Sequence, residues 1–165
     1  MPEAWTQGMI NKAFWIHRQK PKYVSDYRIT PDEALKKLWI DCSMFDYLSA
    51  HLAGILGIER VDAASMRKGR GGWRGRDLPG KLLYAKPGTL PFYKWIDRKT
   101  GKPKTSKLID HTGIHVRDPI SGDPAVLHAS SGRLTTVVAP IAGVFVTDLA
   151  AVRELTIGDP IGTKK

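Results

Sequence analysis

The sequence predicts an α+β fold in which helices come first and a run of short, antiparallel-pairing strands follows. Three observations predict it. Residues 3–57 carry apolar side chains at helical spacing, and residues from 81 onward switch to short β-rich runs. Turn signals such as "DRKTGKPK" and "DPISGDP" separate those runs. Helices grouped ahead of strands argue against the βαβ alternation of a parallel sheet. At 165 residues and 42% hydrophobic composition, the chain is long enough to bury a core, and residues 1–165 are expected to form one domain.

The elements follow in chain order. Trp5, Met9, Ala13 and Ile16 recur at spacings of four, four and three, which predicts a helix over 3–19 within an N-terminal helical extension, 1–26. Lys20-Pro21 ends it. "TPDE" at 30–33 is a helix start: Thr30 is the expected N-cap, Pro31 suits the first turn and Glu33 completes a capping box. That helix would carry Leu35, Leu38 and Trp39 inward and stop before Asp41. Asp41 is the expected N-cap of a third helix, with Phe45, Leu48, Leu52, Ile55 and Leu56 on one face and Gly57 as its stop. Residues 66–80, "MRKGRGGWRGRDLPG", show no apolar period and are expected to be a basic Gly/Arg loop. Strands are predicted over 81–85, 90–95, 110–117, 124–129, 133–138 and 142–147, and a loose tail over 157–165.

Charge is distributed unevenly. Residues 66–107 hold 13 of the 26 Lys/Arg with only Asp77 and Asp97 as acids, so the whole surplus of +10 lies in one segment. No basic start followed by an apolar run marks a secretory signal, and no stretch approaches 18 consecutive apolar residues. The chain is expected to be made in the cytoplasm and not to enter a membrane.

Cys42, the only cysteine, falls in the first turn of the predicted third helix, on the same face as Phe45. Helix N-termini present unpaired N–H groups and a positive dipole end, which favour a thiolate, lower its pKa and stabilise an oxyanion. A lone cysteine is equally a small hydrophobe that packs well in a core. The residues leave both roles open until a base and an orienting group are found. His17 and His51 lie on predicted helices. His111 and His115 share one face of a predicted strand, and His128 lies on the next. Four residues of straight strand span roughly 13 Å, so His111 and His115 cannot share one ion. No metal and no cofactor is expected. A nucleophile on a helix N-terminus with a base and an orienter on neighbouring strands is the general arrangement of cysteine hydrolases.

Four stretches, "DCSMF", "PGTLPFY", "DHTGIHV" and "AVLHASSG", resemble in order the motifs of the NlpC/P60 cell-wall cysteine peptidases, roughly DCSG[LF], GDLVFF, [SH]HVGIYV and xxIHA. The similarity covers residues 27–138. It implies a papain-like core, with a nucleophile helix packed on an antiparallel sheet, and hydrolysis of an amide bond in peptidoglycan stem peptides, typically after γ-D-glutamate. By position it implies Cys42 as nucleophile, His111 as base and His128 as the third polar residue of a Cys-His-His triad. Asp41 and Ser43 flank the nucleophile as in the family. Tyr27, with Tyr23 as competitor, stands for the tyrosine that lines the substrate site. Met44 replaces the family's glycine and Thr89 its GDL aspartate.

The resemblance thus implies a peptidoglycan amidase or endopeptidase that needs no cofactor. It would act at the cell wall or periplasm after delivery by a phage or an injection apparatus, with an immunity or delivery protein as a possible partner. A papain-like acyltransferase or deamidase on another substrate would use the same three residues. A nucleic-acid-binding protein is a third reading, prompted by "RKGRGGWRGR", whose arginines and tryptophan suit phosphates and bases. The confinement of charge to one segment argues against nucleic acid.

Overall fold

The computed structural model describes residues 3–78, 86–140 and 147–156. The strand expected over 81–85, most of that over 142–147 and the tail 157–165 lie outside them.

The first helix, α1 (Glu3–Arg18), buries Met9, Ala13 and Ile16 of the face its spacing predicts, together with Ile10, and leaves Trp5 half-buried. It ends as Lys20 turns to φ 52 ahead of Pro21. A two-residue strand, β1 (Lys22–Tyr23), then pairs parallel with β2 (Trp39–Ile40), setting Tyr23 opposite Ile40. Between them α2 (Pro31–Lys37) starts at Thr30, whose side chain accepts from the Glu33 N–H at 3.2 Å. This helix is shorter than expected. Leu38 takes a left-handed conformation (φ 54) as its C-cap, so Trp39 joins a strand instead.

The third helix, α3 (Cys42–Leu52), is capped by Asp41, whose Oδ1 accepts from the Met44 N–H at 2.8 Å. It packs against α1 and buries Met44, Phe45 and Leu48. The predicted stop at Gly57 falls too late: Ala53 is the C-cap, Gly54 follows at φ 86, and Leu56 is exposed.

The basic segment differs most from expectation. Residues 63–67 form α4 (Ala63–Arg67), a 3-10 turn follows at Arg70–Gly72, and Gly75–Asp77 form β3. Trp73 is fully buried and its Nε1–H donates to the Glu59 carbonyl at 2.7 Å. Burying a side chain of that size contributes about 2–3 kcal/mol. The chain passes so close here that a Cβ on Gly72 would lie 1.7 Å from the Gly57 carbonyl oxygen. Arg67 pairs with Asp77, and Arg76 with Glu154. The tryptophan that suggested base stacking is therefore a core residue, and two of the arginines are occupied.

The remaining strands are β4 (Leu90–Trp95), β5 (His111–Thr112), β6 (Ile114–Arg117), β7 (Pro124–Ser130), β8 (Thr135–Pro140) and β9 (Thr147–Leu155). Among the described residues they form an antiparallel sheet ordered β3-β9-β4-β5 and a second ordered β6-β7-β8. The strand expected over 110–117 is thus broken in two. At the break, Gly113 passes so near β7 that a Cβ would lie 2.8 Å from Val126 Cγ1 and 2.9 Å from His128 Cβ. Only glycine fits, and the chain crosses there from one sheet to the other. One core joins α1, α3 and both sheets, through residues such as Met9, Phe45, Phe92, Ile114 and Leu127.

Candidate active site

Cys42, half-buried, is the first residue of α3. The backbone N–H groups of Thr112 on β5 and Ser43 in the helix lie near enough to its sulfur to favour the ionised form. Asp41 holds the head of the helix: Oδ1 takes the Met44 N–H and, at 3.2 Å, the Ser43 hydroxyl. Its Oδ2 accepts from Arg60 Nη2 at 3.1 Å, and Arg60 Nη1 donates to the Tyr27 carbonyl, also at 3.1 Å. One turn below Cys42, the fully buried Asp46 receives a 2.8 Å hydrogen bond from the Thr112 hydroxyl.

The sheets deliver two histidines. His111 lies on β5 opposite Tyr93, and His128 on β7 opposite Val137. His111 Nε2 and His128 Nδ1 are 2.8 Å apart, with the rings edge to face at 84°. The rings of Tyr93 and Trp95 flank His111, with centroids at 6.1 and 6.3 Å. Asp110, immediately before His111, is held by the Trp95 N–H at 2.9 Å and by Lys94 at 3.4 Å.

Burial dominates the electrostatics. It pushes His111 down to about 3, assisted by His128 and opposed by the Asp110 carboxylate. It pushes His128 down to about 4, opposed by the Ala129 carbonyl, which favours the protonated ring. It also pushes the Cys42 thiol up to about 12; the Asp41 charge adds to this, while the Thr112 and Ser43 N–H groups oppose it. Desolvation thus opposes the thiolate that helix position favours, against the Thr112 and Ser43 N–H groups. At neutral pH these shifts favour a neutral thiol and neutral imidazoles.

Of the sequence-predicted residues, Asp41, Cys42 and Ser43 lie at the head of α3, and His111 and His128 pair with each other on β5 and β7, the strands that contact that helix. Tyr27 is 86% exposed, and what it contributes is its carbonyl, held by Arg60. Tyr23 is half-buried and close enough to Cys42 and Asp41 that their charges, after burial, help push its phenol up to about 12. His115 lies on the other sheet, fully buried, with Nδ1 2.9 Å from the Lys86 carbonyl. Thr89 is buried and its hydroxyl closes the same turn on the Lys86 carbonyl at 2.9 Å, and Met44 is core. Both departures from the motif are therefore structural. Sequence reasoning missed Arg60, Thr112 and Asp46. Asp46 left a signal, since an acid four residues after Cys42 occupies the helix face that Phe45 and Leu48 make apolar. Arg60 and Thr112 left none. Among the described residues, no group of three or more His, Cys, Asp or Glu side chains is placed to hold a metal ion.

The comparisons agree with this architecture. No protein-family model and no curated protein matches the sequence. Among solved structures, NlpC1 from Trichomonas vaginalis superposes with a TM-score of 0.57 at 16% identity, over 88% of this chain and 43% of its own. NlpC2 from the same organism superposes at 0.56 with 17% identity, over 92% of this chain and 50% of its own. The fold is NlpC/P60-like, a mixed arrangement of helices and antiparallel sheet. This chain spans half or less of the length of those two chains.

Proposed function

We propose that the protein is a cysteine hydrolase that cuts an amide bond in peptidoglycan stem peptides. The observation that carries this reading is the alignment of Cys42, at a capped helix N-terminus, with the hydrogen-bonded His111–His128 pair on the facing strands. The NlpC/P60-like fold supports it. In the productive tautomer His111 Nε2–H donates to His128 Nδ1, which leaves the Nδ1 lone pair of His111 to take a proton. Cys42 Sγ attacks the amide carbon as its proton passes to His111, since neither group is charged at rest. The developing oxyanion meets N–H groups at the head of α3. The amine leaves with the proton from His111, and a water deprotonated by the same ring then opens the thioester. The carboxylic acid departs and the thiol is restored.

The test is digestion of purified peptidoglycan with wild type and Cys42→Ala, reading new amine and carboxyl termini by mass spectrometry. New termini made by the wild type alone are the expected result. Acyl transfer or side-chain deamidation on peptides, with intact wall, would replace hydrolysis by the acyltransferase or deamidase reading. Action at the cell wall or periplasm, and an immunity or delivery protein as partner, belong to this proposal.

A further inference from the structure

Asp46 is the most deeply buried acid of the site and the mechanism above does not use it. Its side chain is fully buried, its Oδ2 meets the Thr112 hydroxyl at 2.8 Å, and its Oδ1 has no hydrogen-bond partner among the described residues. A carboxyl group in such a place costs several kcal/mol more than an apolar side chain when ionised. An apolar residue would complete the buried face of α3, so packing alone does not account for the acid. What the acid adds is one bond, to the residue that follows His111 on β5 and whose backbone N–H lies near the Cys42 sulfur.

We propose that Asp46 is a positioning residue for the nucleophile: by clamping the Thr112 side chain to α3 it holds the Thr112 N–H on Cys42 and sets the neighbouring His111 against His128. β5 is only two residues long and ends at Gly113, where the chain leaves the sheet. Two residues paired to one neighbour strand fix a backbone weakly, and the clamp supplies the missing attachment to the helix. Asp46 acts in its protonated form. Burial, and secondarily the Asp41 charge, hold its carboxyl well above the usual range. A charged Asp46 would stand beside Asp41 as a second anion opposing the thiolate. The other titratable or charged groups around Cys42 and Asp46 are Tyr23 on β1, Arg60 beside Asp41, His111 on β5 and His128 on β7.

This inference rests on Cys42 being the nucleophile, and its test needs no substrate. The readout is the rate of Cys42 alkylation by iodoacetamide from pH 6 to pH 10, on native protein verified by circular dichroism. Thr112→Val keeps the shape of the side chain and removes its hydroxyl. It should slow alkylation about tenfold and move the profile to higher pH, the loss of about one hydrogen bond to the sulfur. Asp46→Leu should do the same, and Thr112→Ser should restore the wild-type profile. Asp46→Asn keeps a neutral acceptor and should stay close to wild type. A wild-type profile for Thr112→Val overturns the clamp, even where Asp46→Leu fails to fold. Faster alkylation in Asp46→Asn overturns the neutral form, because it would show that a charge had been removed. Intact wall with an altered alkylation profile would sink the hydrolase reading and leave the clamp standing.

Discussion

His111 and His115 sit four residues apart in "DHTGIHV", both buried and both pushed below the ordinary imidazole range by desolvation first. Burial and titration do not distinguish them. Their partners do. His111 meets a second titratable ring at 2.8 Å, on a strand whose next N–H lies near the Cys42 sulfur. His115 meets a backbone carbonyl at 2.9 Å, and its buried Nε2 has no hydrogen-bond partner among the described residues. A ring that ends on a carbonyl can pin a turn but has no route for a proton. A ring hydrogen-bonded to another imidazole, on a strand that packs against the head of the Cys42 helix, has one. Gly113 makes the difference by ending one strand and starting the next in the other sheet.

The sharpest way to break this comparison is to truncate each ring. His111→Ala should lower peptidoglycan turnover by about 10²–10⁴-fold, the usual loss of a general base, far beyond what the stability cost of truncating a buried ring explains. His128→Ala should leave partial turnover, since an orienter fixes tautomer and ring position. His115→Ala should spare turnover per folded molecule while costing about 2–3 kcal/mol of stability, from the cavity left by a fully buried ring. Urea melts and initial rates separate the two losses. An indispensable His115 with a dispensable His111 would reverse the assignment.

Gly113→Ala attacks the crossing itself. The new methyl would collide with Val126 Cγ1, His128 Cβ and the Leu127 carbonyl, at 2.8, 2.9 and 3.0 Å. Overpacking there should cost about 1–3 kcal/mol and, by displacing His128, lower turnover as well. Unchanged melts and rates would mean that the crossing tolerates a side chain and that glycine is not what separates the histidines.

Stability against pH sharpens the comparison from the other side. His111, His128 and His115 have folded values below the 6.5 of a free imidazole, so the unfolded chain binds more protons as pH falls below 6.5. Their contribution is complete above 6.5 and is lost toward the folded values. Asp46 has the opposite sign: the native state keeps its proton above 3.8 while the unfolded chain releases it, so stability falls as pH rises. The urea midpoint should therefore peak near neutrality, and Asp46→Asn should flatten the alkaline side and steepen the acid side. A midpoint rising steadily from pH 5 to pH 9 would contradict the neutral, buried acid.

The smallest effect belongs to the exposed cations. Lys68, Arg70 and Arg74 are exposed, unlike the paired Arg67. Changing these three to Gln should weaken wall binding a few-fold at low salt and leave turnover of a soluble stem-peptide fragment unchanged. Exposed charges act over a Debye length of about 8 Å in physiological salt. Salt-independent wall binding would remove the electrostatic account.

Signals confined to a few neighbouring residues were legible in the sequence. Thr30 and Asp41 cap their helices as read, because a cap needs only its own side chain and an N–H three residues ahead. The buried face of α1 and the bounds of β4 followed from periodicity. The order of Cys42, His111 and His128 was legible because each sits in its own short motif. What depended on distant chain was not. Strand β9 pairs with both β3 and β4, yet its residues carry no strong alternation. Trp73 read as an exposed ring in a loop until the Glu59 carbonyl and the core closed over it. The protonation state of Cys42 was least legible of all. Helix position pulls its pKa down, but how much water the packed sheet removes is set by residues 70 positions away, and desolvation is a property of the assembled interior rather than of any motif.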